Sequence, residues 1–222
     1  MEMQLLHTLY EPAGDGPHPT IIALHGWGAS GMDLLGLAPY LADGSFLVLC
    51  PQGQVEVPLG PMCGYGWFPL TLGAPPDPAA FMAGVESVKR FLEAALRRYP
   101  IDPNKLVMLG FSQGGVIGYA LALAEPERFA ALVALSSWLP PEVAQQLPPR
   151  STQRLATLVH HGTRDELIDV GRGRDSVEIL RQLQVPVTYR EFEMGHEVSA
   201  ESLQDLSTWL EEKVLSPIVL AR

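Results

Sequence analysis

Short, continuously apolar runs alternate with segments of helical periodicity along most of this chain, and few folds accommodate that pattern. Thr20 to Leu24, Ser45 to Leu49, Leu106 to Leu109, Ala131 to Leu135, Leu155 to Val159 and Val187 to Phe192 each read as a strand buried on both faces. Between them, Asp77 introduces a helix with Pro78 at its first position. Phe81, Val85, Val88, Leu92 and Leu96 then fall on one face, and Pro100 ends it. A last helix starts near Ser199 and carries Leu203, Leu206, Leu210 and Val214 on one stripe. Strands of this kind imply an α/β fold with a mostly parallel central sheet and helices on both faces. Ligands bind such sheets beyond the carboxyl ends of the strands, so function is sought just after each strand.

The 222 residues, 47% hydrophobic and 18% charged, suit one domain spanning residues 1–222. No repeat or Gly/Ser-rich linker divides them. With 25 acids against 15 bases and no dense basic run, neither nucleic acid nor an anionic membrane surface is an expected partner. No apolar stretch is long enough for stable insertion across a bilayer, and the first residues, Met-Glu-Met-Gln-Leu-Leu-His, do not read as a signal peptide. Cys50 and Cys63 form neither a metal nor a redox motif. The expected protein is cytoplasmic, a monomer or homodimer.

Gly110-Phe111-Ser112-Gln113-Gly114 follows one of the strands and precedes a helical stretch. In that context Gly-x-Ser-x-Gly is a nucleophile elbow. A sharp, strained turn lifts the hydroxyl above the sheet, and glycines on either side allow close backbone packing. Ser112 is therefore the expected nucleophile.

A serine hydroxyl needs a base. Three histidines follow Ser112, namely His160, His161 and His196. His160 and His161 close a strand and read as core or shell residues. His196, in the loop after the strand ending near Phe192, is the expected base. The orienting acid belongs after the strand ending at Val159, where Asp165 fits, with Glu166 and Asp169 as close competitors. Backbone N–H groups should stabilise the oxyanion. Gln113 follows the nucleophile, and Trp27 lies in His25-Gly26-Trp27-Gly28 after the first strand, so these two are the expected donors. Gly26 to Gly31 also spells Gly-x-Gly-x-x-Gly, but the next strand ends in Leu49-Cys50-Pro51-Gln52, without a ribose-binding acid, which argues against a dinucleotide site.

Five segments together resemble the phospholipase/carboxylesterase family of α/β-hydrolases, which includes the acyl-protein thioesterases. They are Leu24 to Gly28, Tyr65 to Phe68, Gly110 to Gly115, His161 to Asp165 and Gly195 to Val198. The resemblance implies an α/β-hydrolase fold, and the short, Pro-rich stretch from Pro140 to Gln153 leaves no room for a large cap domain. The resemblance also implies a catalytic triad of Ser112, Asp165 and His196, an oxyanion site at Trp27 and Gln113, and esterase or thioesterase activity with no cofactor and no metal. The chain departs from the family pattern at Ala29, Pro69 and Asp169, which bears on substrate preference. An apolar acyl wall is expected from Trp27, Met62, Trp67, Phe68, Trp138 and Leu139. The expected partner is a small ester or acyl-thioester substrate.

Overall fold

A computed structural model describes residues 5–70, 76–148 and 150–216. The start of the amino-terminal segment discussed above lies outside the described residues. Seven strands form the main sheet: β1 (His7–Tyr10), β2 (His18–Leu24), β3 (Leu47–Pro51), β6 (Ile101–Phe111), β7 (Ala131–Leu135), β8 (Ala156–Gly162) and β9 (Val187–Phe192). Their spatial order is β1-β3-β2-β6-β7-β8-β9. Only β1 runs antiparallel to its neighbour. A separate antiparallel ribbon pairs β4 (Val55–Leu59) with β5 (Met62–Gly66).

Alternate residues of the central strands enter two different cores. Ile22, Leu24, Leu106, Met108, Leu132 and Val159 pack beneath α1 (Pro78–Arg98), α2 (Gln113–Ala124) and α4 (Val170–Gln182). Ile21, Ala23, Val107, Leu109, Val133 and Leu158 face α5 (Ala200–Leu210) and the 3-10 segments between Leu35 and Gly44. Both sheet faces are thus dry, which explains the continuously apolar strands.

The expected strands at Ala131–Leu135 and Val187–Phe192 are found at those bounds. The strand expected at Ser45 starts at Leu47, because Ser45 closes a turn on Ala42. The helix after Asp77 forms as read: the Asp77 carboxylate accepts from the Ala80 N–H at 2.8 Å, and Pro78 opens the helix. Ser199 caps α5 in the same manner. Between β7 and β8 the described residues contain only one short helix, α3 (Pro141–Gln145).

Candidate active site

The parallel strands deliver their carboxyl ends to one edge of the sheet, and the candidate residues gather there. Ser112 sits between β6 and α2 with φ 52° and ψ −121°, a conformation that costs free energy for a non-glycine residue. Surrounding contacts hold it there. Its N–H donates to Leu135 O at 2.9 Å, and its carbonyl accepts from Ser137 Oγ at 2.8 Å. A Cβ at Gly114 would collide with the carbonyl oxygen of Leu24, so the first turn of α2 lies directly on the end of β2.

Gln113 begins α2, and N–H groups of a first helical turn have no intrahelical acceptor. Together with the helix dipole they favour negative charge near the serine. Its side chain does something the sequence did not reveal. Fully buried, its Oε1 accepts from Trp67 N–H at 2.8 Å and its Nε2 donates to Phe68 O at 2.7 Å.

The loop carrying Trp27 is braced from the same side. Trp67 Nε1 donates to His25 O at 2.8 Å. The buried His25 ring accepts from Gly53 N–H at 3.0 Å through Nε2, which leaves the proton on Nδ1 to donate to Gly26 O at 2.7 Å. Burial holds the His25 imidazole below its usual range. The ribbon completes the brace: Gly28 N–H donates to Tyr65 O and Tyr65 N–H to Ala29 O, each at 2.8 Å. Turns and a 3-10 segment, rather than an α-helix, follow Gly31, so the glycine-rich run lacks the helix N-terminus that a dinucleotide pyrophosphate requires.

Asp165 is enclosed and its carboxylate is well supplied with donors. Oδ1 accepts from Leu167 N–H at 3.0 Å and Ile168 N–H at 2.8 Å, while Oδ2 meets His196 Nδ1 at 2.8 Å. A carboxylate accepts only, so His196 carries a proton on Nδ1 and leaves Nε2 for a second partner. The His196 ring packs against Phe111, the residue before Ser112, at a centroid distance of 4.8 Å. Of the competing acids, Glu166 is exposed, and Asp169 caps α4 by accepting from Gly171 N–H at 2.8 Å.

His160 and His161 are both buried. Successive strand residues point to opposite faces, so His160 reaches Asp205 on α5, at 3.0 Å, while His161 lies against Gly173 of α4.

The expected acyl wall needs correction. Trp67 and Phe68 are 3% and 0% exposed, and Leu139 is 2% exposed. All three belong to the core beneath α1, α2 and α4. Met62 is exposed at the far end of the ribbon, paired with Leu59. An apolar residue near a strand end signals burial and site lining equally well, and here burial prevails. Trp138 is half-buried, with the Arg172 guanidinium 4.4 Å from its ring centre. Trp27 is half-buried against the ribbon at Gly66. Among the described residues no three His, Cys, Asp or Glu side chains are grouped so as to hold a metal ion. No described helix is long and apolar enough to cross a membrane.

A mostly parallel sheet with a serine at the strained turn between a central strand and a covering helix defines the chain as an α/β-hydrolase. Solved structures agree on the fold. The crystal structure of esterase PE8 superposes with a TM-score of 0.80 at 22% identity, covering 94% of this chain and 99% of that one. The Bacillus cereus carboxylesterase gives 0.79 at 22% identity, covering 94% of each chain. The Phospholipase/Carboxylesterase family profile matches residues 8–214. The chain belongs to that family. Among curated relatives, a probable carboxylesterase SOBER1-like of Arabidopsis thaliana is 28% identical over 69% of this chain and 63% of its own length. The match to this plant relative therefore leaves more than a third of it uncovered. Acyl-protein thioesterase 1 of Mycosarcoma maydis is 27% identical over 96% of this chain and 99% of its own length.

Proposed function

We propose that this protein hydrolyses carboxylic esters or acyl thioesters through Ser112, His196 and Asp165. The observation that carries this reading is the Asp165–His196 hydrogen bond of 2.8 Å, made by a base whose ring packs on the residue preceding a strained serine. Relatives named carboxylesterase and acyl-protein thioesterase support the same chemistry.

In the first step Ser112 Oγ attacks the carbonyl carbon while His196 Nε2 takes the hydroxyl proton. The carbonyl oxygen becomes an oxyanion and is met by the N–H groups of Gln113 and Trp27. Asp165 keeps the imidazole in the Nδ1–H tautomer and stabilises its charge. The C–O or C–S bond then breaks, and the leaving group departs with the proton from His196. Water attacks the acyl-enzyme with His196 again as base, releasing the acid and restoring Ser112.

The test is a panel of p-nitrophenyl esters and acyl thioesters of rising chain length, run beside Ser112→Ala. Turnover should appear with the native chain and vanish with the variant. A fluorophosphonate should add its mass to the peptide containing Ser112. Binding of the panel without turnover would replace hydrolysis by ligand capture, and activity surviving in Ser112→Ala would remove the nucleophile assignment.

A further inference from the structure

His161 has no part in the mechanism above, yet it lies beside the carboxylate on which that mechanism depends. Its side chain and that of Asp165 are both wholly enclosed. Nε2 lies 2.8 Å from Ile168 O, and a carbonyl can only accept, so this nitrogen carries the ring proton. The same N–H is 3.5 Å from Asp165 Oδ2, the oxygen that holds His196. That separation is too long for a full hydrogen bond, but it sets the positive end of a dipole against the carboxylate in a dry site.

Ile168 links the two residues. Its N–H donates to Asp165 Oδ1 at 2.8 Å while its C=O accepts from His161. Both backbone groups of Ile168 are thereby fixed, one by the acid and one by the histidine.

The other ring nitrogen is closed off. Nδ1 is buried with no hydrogen-bond partner among the described residues. The backbone of Gly173 lies on it so tightly that a Cβ there would be 2.6 Å from Nδ1. A proton at Nδ1 would find no acceptor, so the cavity enforces the Nε2–H tautomer. Glu191, opposite His161 in the β8–β9 register, is taken by Arg174 through contacts of 2.7 and 2.9 Å. The His161 donor is left to Ile168 and Asp165.

We propose that His161 is a positioning residue, whose Nε2–H pins Ile168 and through it orients the Asp165 carboxylate toward His196, with Gly173 enforcing the tautomer. This inference rests on the reading of Ser112, Asp165 and His196 as the catalytic residues.

The test compares His161→Leu with His161→Gln, whose amide N–H falls close to the lost Nε2–H. Two readouts are taken on the full chain: kcat and KM for p-nitrophenyl acetate, and the far-downfield proton resonance of His196 Nδ1–H in histidine-labelled protein. His161→Leu should lower kcat about tenfold to a hundredfold, the range expected for misplaced catalytic groups, with little change in KM. It should also shift or broaden the resonance, and His161→Gln should restore both. An unchanged resonance in His161→Leu, or equal damage in the two variants, overturns the proposal. If His161→Leu does not fold, Gly173→Ala takes its place by pressing on Nδ1, and an unchanged kcat and resonance there overturns it equally. The resonance reads the His161–Asp165–His196 linkage even if Ser112→Ala were to retain turnover, so failure of the catalytic reading is seen separately.

Discussion

The amide of Gln113 holds the backbone of Trp67 at 2.8 Å and that of Phe68 at 2.7 Å, tying the residue after Ser112 to a segment 45 to 46 positions earlier. Oxygen receives one N–H and nitrogen gives one to a carbonyl, so both halves of the amide are needed. Gln113→Glu places a second acceptor against Phe68 O in a buried site. We expect a loss of about 1–3 kcal/mol in urea unfolding, the cost of a buried polar group left unsatisfied, and a fall in kcat although the Gln113 backbone N–H is retained.

Asp165 and Asp169 lie four residues apart but perform separable tasks. Asp165→Asn should reduce kcat by about 10⁴-fold, because the amide can donate to His196 and favour the wrong tautomer. Asp169→Ala removes only a helix cap and should cost about 1 kcal/mol in thermal or urea unfolding, with kcat within a few-fold of the native value.

The five apolar residues named for the acyl wall beside Trp27 should divide in a chain-length series. Trp138→Ala should raise KM more for long acyl esters than for acetate, since Trp138 alone of these five is half-buried at a strand end. Met62→Ala should leave kcat/KM unchanged for every member. A chain-length effect of Met62→Ala equal to that of Trp138→Ala would reverse the assignment.

Two buried histidines should contribute to the loss of stability in acid. Burial lowers the pKa of both His160 and His25 from the ordinary 6.5. An unfolded chain therefore binds protons at these sites before the folded one does. Their contribution is full above about pH 6.5 and is lost as the pH falls below it. Urea midpoints measured between pH 8 and 5 should decline through this window. His160→Gln, which cannot be protonated, should flatten the decline.

The central strands and the serine turn were legible because each has a local signature. Ala131–Leu135 is apolar throughout, and Gly110 to Gly114 carries its spacing within five residues. β4 and β5 were not legible, since an exposed two-stranded ribbon buries only Val57 and Gly64 along with its last residue, Gly66, and shows no long apolar run. α4 escaped for a similar reason: its buried positions are Gly173, Ser176, Val177 and Leu180, only two of them aliphatic. Chain order and the strand ends nominate His196 and narrow the acid to Asp165, Glu166 and Asp169; that Asp165 is the one that reaches His196 is visible only in the structure. The bracing by Gln113 and His25 was hidden, because side-chain to backbone bonds between distant segments leave no pattern in sequence. Trp67 and Phe68 were legible as apolar but not as enclosed.

The ribbon contacts have a practical consequence. Cys50 is buried, and burial pushes its thiol up to about 12, whereas Cys63 is exposed on β5, two residues before the Tyr65 that clasps Gly28 and Ala29. The native chain is therefore singly addressable by a thiol-reactive dye. A fluorophore at Cys63 would report, in real time and without engineering, whether the loop bearing Trp27 shifts when an acyl group occupies Ser112.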